Sequence, residues 1–182
     1  MKTICFFLIF FAPILQSGCG YHLKTAGQPV GIEIESLAIP VMTSTSSESG
    51  FEGDFTRVVR EEFIHHAKFP VISSDKAHMV LKGHIYDIST DAVSYDLTLY
   101  NVSGTTVTHE TTAGRRLKIK LEITLTDQDS GKIVWYEKAM VEQAKYDVTA
   151  DPMKNRYNQQ QALQDISESL SRRIYQQIME RF

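Results

Sequence analysis

Cysteine is nearly absent from this sequence: Cys5 and Cys19 are the only two in 182 residues. That excludes a disulfide-rich scaffold, which a short exported chain with many cysteines would suggest. Catalytic and metal-binding signatures are missing too. No G-x-S-x-G, P-loop, H-E-x-x-H or C-x-x-C occurs. Cations are not in excess, with 19 Lys and Arg against 22 Asp and Glu and a formal charge of −3. The basic balance of a dedicated nucleic-acid binder is therefore lacking. No apolar run reaches the roughly 20 residues of a membrane-spanning helix, and there is no internal repeat.

What is present begins with a targeting segment. Met1-Lys2 is a short positive start, and Ile4 to Leu15 (ICFFLIFFAPIL) carries no charge. Gln16, Ser17 and Gly18 follow. Basic start, apolar centre and small residues before a cut are the layout of a secretory signal peptide, so residues 1–18 are expected to be removed. Cys5 would leave with them. Cys19 is then a single cysteine at the new N-terminus, preceded by Ser17 and Gly18, in the arrangement of a bacterial lipoprotein signal. Gln16 stands where that signal ordinarily has an aliphatic residue, and Leu15 lies one place further back. Lipidation of Cys19 is the expectation. At about 0.8 kcal/mol per buried CH2, its acyl chains suffice for stable membrane anchoring without a span. Residues 19–30, with two glycines and Pro29, read as an extended connector, and residues 31–182 as one domain.

Within that domain the hydrophobic periods alternate between two and 3.6. Residues 31–41, ending at Pro40, read as a first strand. The polar run 43–50 offers Ser and Thr caps for a helix at 51–67, whose Phe51, Phe55, Val58, Val59 and Phe63 form a stripe; Pro70 lies just beyond. Residues 77–100 alternate as a strand. Residues 101–114, rich in Thr, Ser and Gly, fit either a long loop or a hairpin extension. The clearest signal is RRLKIKLEITLT at 115–126, where Leu117, Ile119, Leu121, Ile123 and Leu125 face one way and charged or hydroxyl residues the other. Asp127 to Gly131 is turn chemistry, and 132–146 returns as the partner strand. Residues 156–182 form one long amphipathic helix on Ala162, Leu163, Ile166, Leu170, Ile174 and Ile178. The expected fold is α+β: a two-layer sandwich, one mostly antiparallel sheet of about four strands, with two helices on one face.

Few residues suggest chemistry. His65 and His66 are adjacent and point about 100° apart on a helix, so they cannot chelate together. His78 and His84 share a strand face about 20 Å apart. No metal site, cofactor or catalytic set is expected, and no enzyme. Arg116, Lys118 and Lys120 line the outward face of one strand. Such cations protect a strand from unwanted pairing, and they also form a candidate site for phosphate-bearing ligands.

Several stretches together carry a family likeness: CGYHL at the candidate lipidated cysteine, LAIPV in strand 1, GFEGDFTRVVREEF as helix 1, MVLKGHI opening the next strand, and the DSGKIVW turn and strand. With the long C-terminal helix they resemble the lipopolysaccharide-assembly lipoproteins of the LptE type, over nearly the whole mature chain. The resemblance implies an outer-membrane lipoprotein facing the periplasm. It implies a plug and assembly partner for a β-barrel of the LptD type, in contact with lipopolysaccharide (LPS) during its insertion into the outer leaflet. Gly20, in place of an inner-membrane-retaining Asp, agrees with outer-membrane sorting. Under this reading the Arg116, Lys118 and Lys120 face is the candidate LPS contact. The alternative is a non-catalytic lipoprotein accessory of another envelope or secretion complex.

Overall fold

The structure is a computed structural model that describes residues 33–45, 50–102 and 105–181. The signal segment 1–18, Cys19 and the connector 19–30 lie outside the described residues. Seven elements follow in order: β1 Leu37–Ala38, β2 Thr43–Ser44, α1 Phe51–His66, β3 Met79–Val102, β4 Thr105–Asp127, β5 Ile133–Asp147 and α2 Pro152–Arg181.

One mixed sheet of five strands has the order β1-β3-β4-β5, with β2 also paired to β3. β3–β4 and β4–β5 are antiparallel, as consecutive hairpins must be. β1 and β2 run parallel to β3. The strand expected at 31–41 forms over Leu37–Ala38, and β2 falls at Thr43–Ser44, in the run expected to be a polar loop. Leu37 is also bridged to the segment 70–72, its amide donating to the Pro70 carbonyl and its carbonyl accepting from Ile72. Local pairing, more than alternation, defines that edge.

The period-two stripe on β4 does what it predicts. Leu117, Ile119, Leu121, Ile123 and Leu125 are fully buried. Their neighbours Arg116, Lys118, Lys120, Glu122, Thr124 and Thr126 are half-exposed on the opposite face. The 101–114 region resolves as hairpin: β3 continues to Val102 and β4 starts at Thr105, paired residue by residue from Tyr95–Thr112 to Val102–Thr105.

Both helices lie on the apolar face. Phe55, Val59 and Phe63 of α1 and Ile166, Leu170, Ile174 and Ile178 of α2 join the β4 stripe in one core. Phe63 meets Tyr175 edge-on, with centroids 5.3 Å apart. The N-cap of α1 is Gly50 at φ 95°, with no side-chain cap bond. α2 is capped by Asp151, whose Oδ1 accepts from the Met153 amide at 2.9 Å. Pro152 takes the first helical position, where its missing N–H costs nothing. The helix therefore begins four residues earlier than the apolar stripe alone suggests.

Candidate functional site

Among the described residues the helices cover one side of the sheet and leave its other side open. Register places residues there in rows across β3, β4 and β5. Asp91, Arg116 and Lys145 form one row; Ser89, Lys118 and Gln143 the next; Asp87, Lys120 and Val141 a third. Further along, His84 lies opposite Glu122, and Lys82, Thr124 and Tyr136 form another row.

The three cations predicted from sequence do share this face, but they are not equivalent. Lys120 Nζ lies 2.9 Å from Asp87 Oδ2. Its hydrogen bond to that carboxylate, then the carboxylate's charge, raises the lysine pKa. Lys120 thus stays protonated and is paired with its neighbour. Arg116 and Lys118 make no ion pair among the described residues. Lys118 has Ser89 and Gln143 across from it, neither charged. Arg116 faces Asp91 on one side and Lys145 on the other.

The Arg116–Lys145 pairing is the informative one. Like charges directly opposite on neighbouring strands are destabilising. With Lys118 two residues away, they make a group of three cations whose mutual repulsion is offset in part by Asp91 opposite Arg116. Lys145 was missed by sequence reading because the pairing of β4 with β5, not the pattern within either, puts it beside Arg116.

At the other end of the face, Pro40, Val41, Thr43, Lys82, Gly83, His84, Glu122 and Thr124 border a shallow depression of about 320 Å3. His84 Nδ1 is 2.9 Å from Thr43 Oγ1. Tyr136 donates its hydroxyl to Glu122 at 3.0 Å, which raises the tyrosine pKa. These groups hydrogen-bond one another in pairs, Thr43 with His84 and Tyr136 with Glu122.

The remaining histidines are placed as follows. The rings of His65 and His66 bond separate carbonyls one turn back, those of Glu61 and Glu62. His78 sits just before β3 and comes together with Asp127 and Asp129, their ligand atoms within 4.8 Å of one another. This contact was not foreseen, since it bridges residues some fifty apart through the Met79–Asp127 pairing. Asp127 Oδ1 already accepts from the amides of Asp129 and Ser130, at 2.9 and 3.0 Å. Those bonds, that of Ser130 foremost, lower its pKa. The carboxylate is thereby explained as the cap of the β4–β5 turn.

Residues 34–181 match the family model described as LptE, Lipopolysaccharide-assembly. Among curated proteins, none matches the chain in sequence. Similar solved structures include lipoprotein B from Nitrosomonas europaea, at TM-score 0.53 and 13% identity, covering 87% of this chain and 90% of that one. Rare lipoprotein B from Shewanella oneidensis is similar at TM-score 0.44 and 14% identity, covering 78% and 91%. A minor lipoprotein from Acinetobacter baumannii is similar at TM-score 0.42 and 13% identity, covering 81% and 92%. At such identities the Nitrosomonas likeness speaks for the fold alone.

Proposed function

Because the chain belongs to the LptE lipopolysaccharide-assembly family, we propose that it is an outer-membrane lipoprotein acting in LPS assembly as plug and assembly partner of a β-barrel of the LptD type. The observation that carries this is the family match over residues 34–181, the whole of the described domain. Residues 1–18 act as the export signal, and Cys19 is the lipid anchor that holds the domain at the periplasmic side of the membrane. The role is accessory, not catalytic. It asks for a rigid body with a polar face, and the sheet supplies one. A barrel lumen is polar, and the rows of cations, carboxylates and hydroxyls on β3, β4 and β5 are chemically suited to it.

For LPS itself, Arg116 and Lys118 are the contacts best supported, joined by Lys145. They are cations without a carboxylate bonded to them among the described residues, in neighbouring rows of one sheet face. Lys120 contributes less, because Asp87 already holds it.

Depleting the protein from growing cells tests the role. Newly made LPS should fail to reach the cell surface and accumulate beneath it; normal surface LPS after depletion would overturn the reading. The anchor is tested by metabolic labelling with a palmitate analogue. Label on the wild type and none after Cys19→Ser is expected, and equal label on both refutes lipidation. For the face, Lys118→Glu with Lys145→Glu should weaken LPS binding while circular dichroism stays unchanged. Unaltered binding would remove these residues from the site.

A further inference from the structure

β3 and β4 are far longer than the sheet that shelters them. They hold 24 and 23 residues, where strands ordinarily have about 3–10. On one side β1 and β2 pair with β3 no further than Ile85. On the other, β5 pairs with β4 only as far as Gly114. Beyond these limits the two strands continue as a ribbon that projects about 25 Å, at some 3.3 Å per residue over its last regular pairs.

The ribbon lacks the usual defences of a free edge. Exposed strands are ordinarily blunted by Lys, Pro, bulges or shortness. Residues 83–114 contain no Lys, no Arg and no Pro. The register shifts fall earlier, between Ile85 and Asp87 and between Ala92 and Tyr95. From Tyr95 to Val102 the pairing is unbroken. Among the described residues nothing pairs with the outer edge of β3 there. The outer edge of β4 is less open at its base, where the Val148 amide bonds the Ala113 carbonyl at 2.8 Å.

Side chains on this stretch are apolar and exposed. Tyr95, Leu97 and Leu99 alternate onto one face at 58%, 65% and 67% exposure. The charged side chains of the ribbon itself, Asp96 and Glu110, are both negative. An unpaired backbone edge calls for extended backbone. The alternating apolar side chains call for apolar side chains at the same spacing, and the carboxylates call for cations.

We propose that the outer edge of β3 at Tyr95–Val102 is a strand-addition site that takes an extended, lysine- or arginine-bearing segment of another protein. In such pairing the main chain supplies hydrogen bonds and alternate side chains supply specificity. A second copy of this chain is the poorer occupant, because it would bring another ribbon without cations against this one. The inference stands on the ribbon and is independent of the LPS-assembly role.

The test uses the purified mature chain and a synthetic peptide of alternating Lys and Val, matched in length to Tyr95–Val102. Two controls are its Glu-Val counterpart and a form N-methylated at alternate amides. Binding is read by fluorescence anisotropy and by amide hydrogen exchange. The Lys-Val peptide should bind and slow exchange at 95–102, and both controls should fail. Leu97→Lys with Leu99→Lys should weaken binding by about tenfold or more, a loss of about 1.4 kcal/mol or more. Three results would overturn the proposal. One is equal binding by the N-methylated or Glu-Val peptide, or none by any. Another is protection, without peptide and at every dilution, of those amides of 95–102 that point away from β4, which assigns the edge to the chain's own residues. The last is protection that grows with protein concentration, which assigns it to a second copy.

Discussion

Lys120 Nζ and Asp87 Oδ2 lie 2.9 Å apart and join β4 to β3 on the open face of the sheet. The pair separates the cations that can serve an anionic ligand from the one that is occupied. Asp87→Asn should release Lys120 and tighten LPS binding, measured by displacement of a fluorescent LPS. If affinity does not rise, Lys120 lies outside the contact.

The same variant tests the alkaline limb of stability. Lys120 is raised above the ordinary lysine range, chiefly by its hydrogen bond to Asp87. The contribution is therefore fully present below the ordinary lysine pKa and is lost as pH rises through the elevated one. Tyr136, raised by Glu122, acts in the same sense. Melting temperature should fall between about pH 9 and 12. Asp87→Asn should flatten part of that fall, and an unaltered curve would contradict the assignment.

The turn carboxylate acts at the other end of the scale. Asp127 is depressed by amide hydrogen bonds, that of Ser130 first. Its contribution is present above the ordinary aspartate pKa and lost as pH falls through the depressed one. Below about pH 4 the wild type should lose stability faster than Asp127→Asn. Parallel acid limbs would show that the bonds to Asp129 and Ser130 do not govern this turn.

Gly83 marks a tight approach behind the open face. A Cβ placed there would lie 2.5 Å from Met42 Sδ and 3.0 Å from Ile123 Cδ1. Gly83→Ala should destabilise by about 1–3 kcal/mol, the usual range for overpacking. Met42 is a flexible side chain at a β2-bearing edge, so Met42→Ala in the same molecule should recover part of the loss. Additive losses in the double-mutant cycle would contradict this packing.

Much of this architecture is legible in the sequence because it is encoded by local periodicity. The alternation from Leu117 to Leu125 and the helical spacing from Ala162 to Ile178 each name a buried face, and each is buried. The edge was less legible. Leu37 and Ala38 pair for only two residues, and their partners Met79 and Val80 are 42 residues away. The site was legible in part for the same reason. Arg116, Lys118 and Lys120 share a face by alternation. That Asp87 occupies one and Lys145 crowds another follows from inter-strand register, which no single strand displays. Residues 101–114 were open to two readings because Thr, Ser and Gly suit a loop as well as an exposed strand; pairing across the hairpin makes the described part strand.

The central claim is that this chain works on a barrel of the LPS-assembly machinery, and co-purification measures it most directly. The full-length protein, tagged at its C-terminus, is isolated from detergent-solubilised outer membranes, and its companions are identified and quantified. The account predicts one large LPS-assembly β-barrel in near-equal amount to the tagged chain. Recovery of the lipoprotein without such a barrel, or with the components of a different envelope complex instead, would contradict it.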